Sequence, residues 1–466
     1  MGKRWNADEQ AKCLNQLIGD WATKHPDKPG TGDERLLFQH DRDRIVWSAS
    51  FKRLAQKTQV FPQAYGDHHR TRLTHSLEVM QLSTSIARTL GLNPLLCEAI
   101  ALAHDLGHTP FGHAGEDALD NALQRIKWEG VVKPKHLNRF THYEHGVDVA
   151  SYIDSSSPEV TAEGLHLDDR ILEGILKHTY DHSGPDTKHK SLKFVLDHTK
   201  YKDRFDDGPG SLEAQAVRIC DKLSYFISDI EDGLAIGAIH LDDLQAHELL
   251  KKELDSATEG GLSSDWRNDR MFLFVRNSLL TKLVESVLDQ SSSDVAIPDG
   301  ESRRIIINLG ATELDATREI YEKLQKRHIF SHFFVERATQ RAKHVVACLC
   351  CQFLRHPELV SWPFRRKYLG RVGRYYQRLE DIYGMELDKR VRLDFGEWFE
   401  NRLSKEQCAC SGTFPDPVDR RIADWICVKD YVAGMTDRFA EKQFKKCVCC
   451  PISQMKWEEL ETVPVL

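Results

Sequence analysis

The sequence predicts an all-α protein, a helical bundle with an additional, mostly helical C-terminal region. Three observations carry this. Apolar residues recur at three- and four-residue steps in long segments, as in Val79, Leu82, Ile86 and Leu90. Helix start and stop residues bracket those segments. No alternation of strand and helix points to a parallel sheet, and the one strand candidate, Arg303–Leu309 (RRIIINL), is isolated. Three regions are expected: a helical N-terminal segment over 1–66 that packs on the core, a metal-binding core over 67–236, and a helical region over 237–466.

Composition narrows the function classes. With 41% hydrophobic and 9% aromatic residues, the 466-residue chain can bury a substantial core. Its formal net charge of -7 argues against a chain-wide nucleic-acid binder, which would be basic. No stretch approaches the about 18 apolar residues of a membrane span, and the first residues (MGKRWNADEQAKCL) lack the apolar core of a secretory signal. A cytoplasmic location is expected. The cysteine groups Cys408/Cys410 and Cys447/Cys449/Cys450 lack the CxxC bite of a zinc ribbon, so free thiols are the preferred reading.

In chain order, Lys24–Gly32 is a loop by its Pro and Gly content, and helix is expected from Asp33 until Pro62 and Gly66 break it. Asp67–Leu90 reads as a helix stopped by Gly91. Asn93-Pro94 opens the next as N-cap and first helical residue, and it runs towards Gly107. Further helices are expected at Gly112–Leu123, His142–Ile153, Leu167–Thr179 and, after the DDGPG break, Ser211–Ile236. Helical readings at 315–355, 374–383 and 418–445 follow.

The chemistry concentrates in AHDLGHTPFGHAGEDAL, where an apolar helix ends in titratable groups. His104 and Asp105 are neighbours at the helix end, where the chain can bend to bring both to one ion. Imidazole with carboxylate suits magnesium, manganese or another first-row transition metal. His75 on the preceding helix and Asp221 on the long later one are candidate third and fourth ligands. A lone helix histidine is more often a hydrogen-bonded core residue, but burying His104 and Asp105 unpaired would be costly. His113 and Glu116, spaced i, i+3, share a helix face and suit proton transfer or nucleophile activation. Arg70, Arg72, Arg218 and Lys222 add positive charge suited to a phosphate chain. Asp221, Tyr225 and Asp229 form an i, i+4, i+8 polar stripe, in which Tyr and Asp can read a sugar hydroxyl.

At these residues the chain resembles the HD superfamily of metal-dependent phosphohydrolases, named for the pair seen here as His104-Asp105. More closely, it is similar to the deoxynucleoside triphosphate triphosphohydrolases, or dGTPases. The matching text includes DRDRIVWSASFKRLAQKTQVF, HRTRLTHSLEV, AHDLGHTPFGHAGEDAL, AVRICDKLSYFISDIEDG and DYVAGMTDRFA, from about Asp33 to Ala440. The resemblance implies an HD-domain bundle with metal ligands His75, His104, Asp105 and Asp221, and a catalytic His113 and Glu116. It also implies phosphate contacts from Arg72, Lys222 and His108, and sugar contacts from Tyr225, Asp229 and Gln59. His142, in THYEHG, resembles a family histidine, although EHG departs from the pattern. The implied reaction splits dGTP, or another dNTP, into a deoxynucleoside and inorganic triphosphate, in a tetramer or hexamer.

Two alternatives stand beside this. One is another HD phosphohydrolase acting on nucleoside monophosphates, cyclic nucleotides or an alarmone. The other is a nucleic-acid-binding regulatory protein with a vestigial site, supported by Phe364–Arg378 (FRRKYLGRVGRYYQR), where cations interleave with aromatics. That segment could equally serve an active enzyme as a site for single-stranded DNA or a nucleotide effector, or be a solvated basic helix.

Overall fold

The structure, a computed structural model, describes residues 37–59, 70–125, 139–154, 164–179, 205, 209–259, 269–295, 307–356, 359–360 and 426–447. Among these the fold is all-α. Helix α1 (Leu37–Trp47) and the short α2 (Ala49–Arg53) precede α3 (Arg72–Leu90), α4 (Pro94–Ala103), α5 (Gly112–Arg125), α6 (His142–Asp148), α7 (Asp169–Lys177) and α8 (Leu212–Ala235). Then come α9 (Leu241–Gln245), α10 (Glu248–Glu259), α11 (Asp269–Val295), α12 (Ala311–Ile320), α13 (Phe333–Arg355), a helical run over 426–433, and α14 (Asp437–Cys447). No helix among the described residues is long and apolar enough to cross a membrane.

Local chemistry sets the ends of the central helices. Thr71 caps α3 in a capping box: its hydroxyl accepts from the Thr74 N–H, and the Thr74 hydroxyl accepts from the Thr71 N–H at 3.1 Å. Gly91 closes α3 in the left-handed region at φ 73°. The Asn93 side chain accepts from the Leu95 and Leu96 N–H groups and Pro94 takes the first helical position, so α4 starts where the sequence places it. From Leu96 to Ala103 nearly every side chain of α4 is buried. Full burial of a Leu or Ile stabilises by about 1.5–3 kcal/mol, so packing rather than propensity holds this helix at the centre, against α1, α3, α7 and α8.

Two apolar clusters result. The larger runs from Leu37 to Val335 and surrounds α4. The smaller joins one face of α5 and Phe140 to α13, the 426–433 run and α14. The titratable groups of the α4–α5 turn lie between helices that belong to these two clusters.

Three expectations change. The described part of the strand candidate, Ile307–Leu309, is not a strand; residues 301–306 lie outside the described residues. The Ile307 backbone is satisfied by α8 instead: its N–H donates to the Gln215 side chain at 3.2 Å and its carbonyl accepts from Arg218 at 3.0 Å. The helix expected over 315–355 is divided. Its first part continues from α12 as a π-helix, Tyr321–Ile329, and breaks before α13. The buried Gln325 amide donates to the Phe226 carbonyl at 2.7 Å and holds the wide turn against α8. The helix expected over 418–445 is likewise interrupted at residues 434–436, and 374–383 lies outside the described residues. No disulfide involves the described cysteines; Cys408, Cys410, Cys449 and Cys450 lie outside them.

Lys57 ties three remote segments together. Its buried ammonium donates to the carbonyls of His108 and, at 3.1 Å, Ala433. Burial, reinforced by Arg53, lowers its pKa from 10.5 to about 7. An unfolded lysine keeps its proton to near the upper value, so between the two values the unfolded chain binds more protons. Stability from this group therefore rises with pH across that window. The difference in stability between the native sequence and Lys57→Met, from unfolding by denaturant, is therefore expected to shift in favour of the native sequence between about pH 7 and about pH 9.

Candidate metal and phosphate site

The helix α4 ends at His104, whose N–H still bonds the Ile100 carbonyl, and a tight turn carries the chain through Asp105, Leu106 and Gly107 to His108. Gly107 is required by a close approach of two backbones. A Cβ there would lie 1.9 Å from the His142 carbonyl oxygen and 2.2 Å from the Gly146 nitrogen. This contact presses the turn against α6 and brings His142 to the site.

Three ligand-type side chains from three helices meet beside the turn. Oδ1 of Asp221 (α8) is 2.8 Å from His75 Nε2 (α3) and 3.7 Å from His104 Nε2. The ligand atoms of these residues all lie within 4.8 Å of one another. Asp105 adjoins them, with Oδ1 3.4 Å from His104 Nε2. Donor atoms that share one transition-metal ion lie roughly 3 Å apart, so the spacing fits an ion among them. Tautomer chemistry fits as well. His104 Nδ1 donates to the Ala101 carbonyl at 2.7 Å, which turns the Nε2 lone pair inward, and that buried atom has no hydrogen-bond partner among the described residues.

The electrostatics describe a place for a cation. Burial disfavours charge on His104, but Asp105 and Asp221 outweigh it and raise the pKa to about 9. Burial also works against ionisation of the two carboxyls, yet His104 with Arg72 and His108 holds Asp105 well below the usual range, and His104 with His75 does the same for Asp221. His75, by contrast, is lowered by its burial. Without an ion, a proton on His104 serves as the counter-charge, and a divalent cation would compete for the same lone pair.

Arg72 opens the phosphate side. Its NH1 donates to Asp105 Oδ2 at 2.9 Å, while the buried Nε and NH2 have no partner among the described residues. Burying such donors unmet is costly, and a phosphate oxygen would satisfy them. The neighbouring Gly112, at φ 59°, leaves the room: a Cβ there would lie 2.6 Å from Arg72 NH2. Lys222 follows Asp221 on α8 and is half-buried. The other two cations expected here are used elsewhere. Arg70 is paired with Glu78 and Ser224, and Arg218 with the Ile307 carbonyl, because their positions on α3's approach and on α8 turn them into packing interfaces.

One turn and two turns after Asp221 stand Tyr225, half-buried, and Asp229, buried, on the same face of α8. Asp229 Oδ2 has no partner among the described residues, and burial with nearby Asp232 pushes its carboxyl well above the usual range. An uncharged acid can both donate to and accept from a hydroxyl. Gln59 is buried with both amide atoms unpartnered among the described residues.

A second group fills the α4–α5 side. Nδ1 of His113, mostly exposed, lies 3.3 Å from Glu116 Oε2. His142 meets the same carboxylate through Nδ1 at 2.8 Å and through its backbone N–H at 2.9 Å. His108 stacks on His142 with ring centroids 3.8 Å apart and reaches Asp105 Oδ1 through Nε2 at 3.1 Å. Burial, Arg72 and His142 keep His108 uncharged. Burial opposes ionisation of Glu116, but His142 and His113 hold it well below the carboxylate range, so it stays an anion able to orient both rings.

The HD domain family model matches residues 72–225, the span that contains both groups. The chain is 36% identical over 376 residues to a deoxyguanosinetriphosphate triphosphohydrolase-like protein of Wolinella succinogenes, covering 78% of this chain and 96% of that one. The chain belongs to this family. Proteins of the same description in Geobacter metallireducens (32% identical, 89% of each chain) and Nitrosomonas europaea (33% identical, 88% of this chain and 91% of that one) match over similar lengths. The protein is thus an HD-domain phosphohydrolase, and its carboxylate–imidazole groups could hold a metal ion.

Within this family fold, His75, His104, Asp105 and Asp221 come together, with Arg72 and His108 beside them and His113 and Glu116 one turn on. Gln59, Tyr225 and Asp229 bring buried or half-buried polar groups with spare bonding capacity. His142, expected only by resemblance and against its local pattern, touches Glu116, His108 and His178. Sequence reasoning missed His178. Its ring lies 5.1 Å from that of His104, and its Nε2 is 3.3 Å from His142 Nε2. It sits at the end of α7 as one more histidine on an apolar helix, and nothing local separates it from a core residue. The basic-aromatic segment Phe364–Arg378 lies outside the described residues.

Proposed function

We propose that the protein is a divalent-metal-dependent triphosphohydrolase that converts dGTP, and other dNTPs, to a deoxynucleoside and inorganic triphosphate. The observation that carries this reading is the single face of α8 on which Asp221, Tyr225 and Asp229 stand. It joins a metal-type ligand to two hydroxyl-reading groups at a spacing of one helical turn each, about 5.4 Å. Names of the relatives point the same way.

His75, His104, Asp105 and Asp221 would hold a magnesium, manganese or other first-row ion. Such an ion supplies charge neutralisation and polarisation at a phosphoryl oxygen. Arg72 and Lys222 bind the phosphate chain, with His108 beside it. Tyr225, Asp229 and Gln59 hold the deoxyribose. Water attacks the α-phosphorus, the bond to the 5′-oxygen breaks, and that oxygen takes a proton. His113, oriented by Glu116, moves the proton or positions the nucleophile. A homo-oligomer, tetramer or hexamer, and a single-stranded DNA or nucleotide effector at Phe364–Arg378 belong to the same proposal.

The test is incubation with each dNTP and several divalent metals, with chromatography of both products. Triphosphate together with deoxynucleoside is expected. Orthophosphate or pyrophosphate would instead place the chain among HD phosphohydrolases of other nucleotides.

A further inference from the structure

Asp437 lies more than 300 positions from the groups it touches, in a part of the chain the reaction does not otherwise use. It opens α14 and is buried. Oδ2 accepts from the Thr58 N–H at 2.8 Å and from the Thr58 hydroxyl. Oδ1 accepts from the Phe111 N–H at 2.8 Å. One carboxylate therefore grips two loops that lie against each other beside the site, where a Cβ on Gly112 would stand 3.0 Å from the Gln59 carbonyl oxygen.

Each loop carries a functional side chain just beyond the grip. Thr58 precedes Gln59, whose buried amide has no partner among the described residues. Phe111 and Gly112 are successive residues with left-handed backbone, at φ 62° and 59°, and His113 follows. Left-handed backbone is costly for a bulky residue such as Phe111 and persists only where surrounding contacts hold it. The bond from its N–H to Asp437 is such a contact. A second tie reinforces the first: Lys57 donates to the Ala433 carbonyl at 3.1 Å, just before α14.

We propose that Asp437 is a positioning residue which, through one carboxylate, sets both the sugar-side Gln59 and the proton-side His113. The C-terminal helical segment thereby governs the geometry of a site made otherwise by residues 59–229. The proposal rests on the dNTP hydrolysis proposed above, but its first readout does not.

That readout is hydrogen exchange in the full-length protein. Asp437→Ala should accelerate exchange of the Thr58 and Phe111 amides together, while the interior of α4 stays protected. Turnover of dGTP should fall roughly 10- to 100-fold, the scale of a misplacement of about 1 Å, with bound metal unchanged. Thr58→Val removes only the hydroxyl bond, so it should raise KM several-fold with kcat nearly kept, and Thr58→Ser should restore KM. Thr58→Val and Asp437→Asn keep the test decisive if the alanine variant does not fold. Unchanged exchange at both amides would overturn the clamp. A lowered melting midpoint with kcat and KM of the folded protein intact would reduce Asp437 to a structural residue and also overturn it. A wild-type protein without dNTP turnover would remove the proposed substrate, while exchange would still decide the clamp.

Discussion

Asp221→Ala is expected to bind less divalent metal than the unaltered protein and to lose most of its turnover. Asp221 Oδ1 is the atom that lies against both His75 and His104 Nε2, at 2.8 and 3.7 Å. Without it two imidazoles and Asp105 remain, and the negative charge that draws a cation into this buried place is halved. The transition-state stabilisation supplied by a bound ion is several kcal/mol. At about 1.36 kcal/mol per decade, triphosphate release should fall by roughly 10²- to 10³-fold. Metal analysis after desalting and product chromatography provide the two measurements. A variant that retained both the ion and the rate would remove Asp221 from the site. The substitution is at the partly open end of the group, so the helices should remain folded, which circular dichroism would record.

His113→Ala should separate chemistry from metal binding. The His113 side chain is 59% exposed, so truncation leaves no core cavity, and the melting midpoint should stay close to that of the unaltered protein. Its carboxylate partner among the described residues is Glu116, at 3.3 Å. Loss of a positioned acid or base costs typically 10²- to 10⁴-fold, and a fall of that size is expected with metal content unchanged. Near-normal turnover with intact metal would exclude His113 from both proton transfer and nucleophile positioning. Glu116 would then be left as the anchor of His142, which it holds through ring and backbone alike.

Much of the site can be read along the chain because its parts are local. The His–Asp pair sits at the end of α4, whose start is set by the Asn93 cap and Pro94 and whose interior is a run of small and branched apolar residues. The i, i+3 spacing of His113 and Glu116 and the i, i+4, i+8 stripe of α8 need only helical geometry. Charge is harder to place. Arg70 and Arg218 look as suitable for phosphate as Arg72, yet Arg70 is taken up by Glu78 and Ser224, and Arg218 by the Ile307 carbonyl. Arg72 is the one with both Nε and NH2 unpartnered among the described residues; that depends on what packs against each, and periodicity does not carry that information. His142 and His178 illustrate the same limit. Their Nε2 atoms stand 3.3 Å apart although 36 positions separate them, and α6 comes close to α7 at Gly146, where a Cβ would lie 2.8 Å from the Ile175 side chain.

The sequence by itself determined the helical class, the main helix ends and the residue types of an HD-domain phosphohydrolase, because caps, breakers and apolar periods act within one or two turns of chain. Tertiary structure alone decided that His142 and His178 join the site, that Arg72 keeps free donors, and that Asp437 reaches both Thr58 and Phe111. Those outcomes depend on how buried apolar faces bring segments as much as 379 positions apart into hydrogen-bonding range, and packing of that kind is a property of the whole fold.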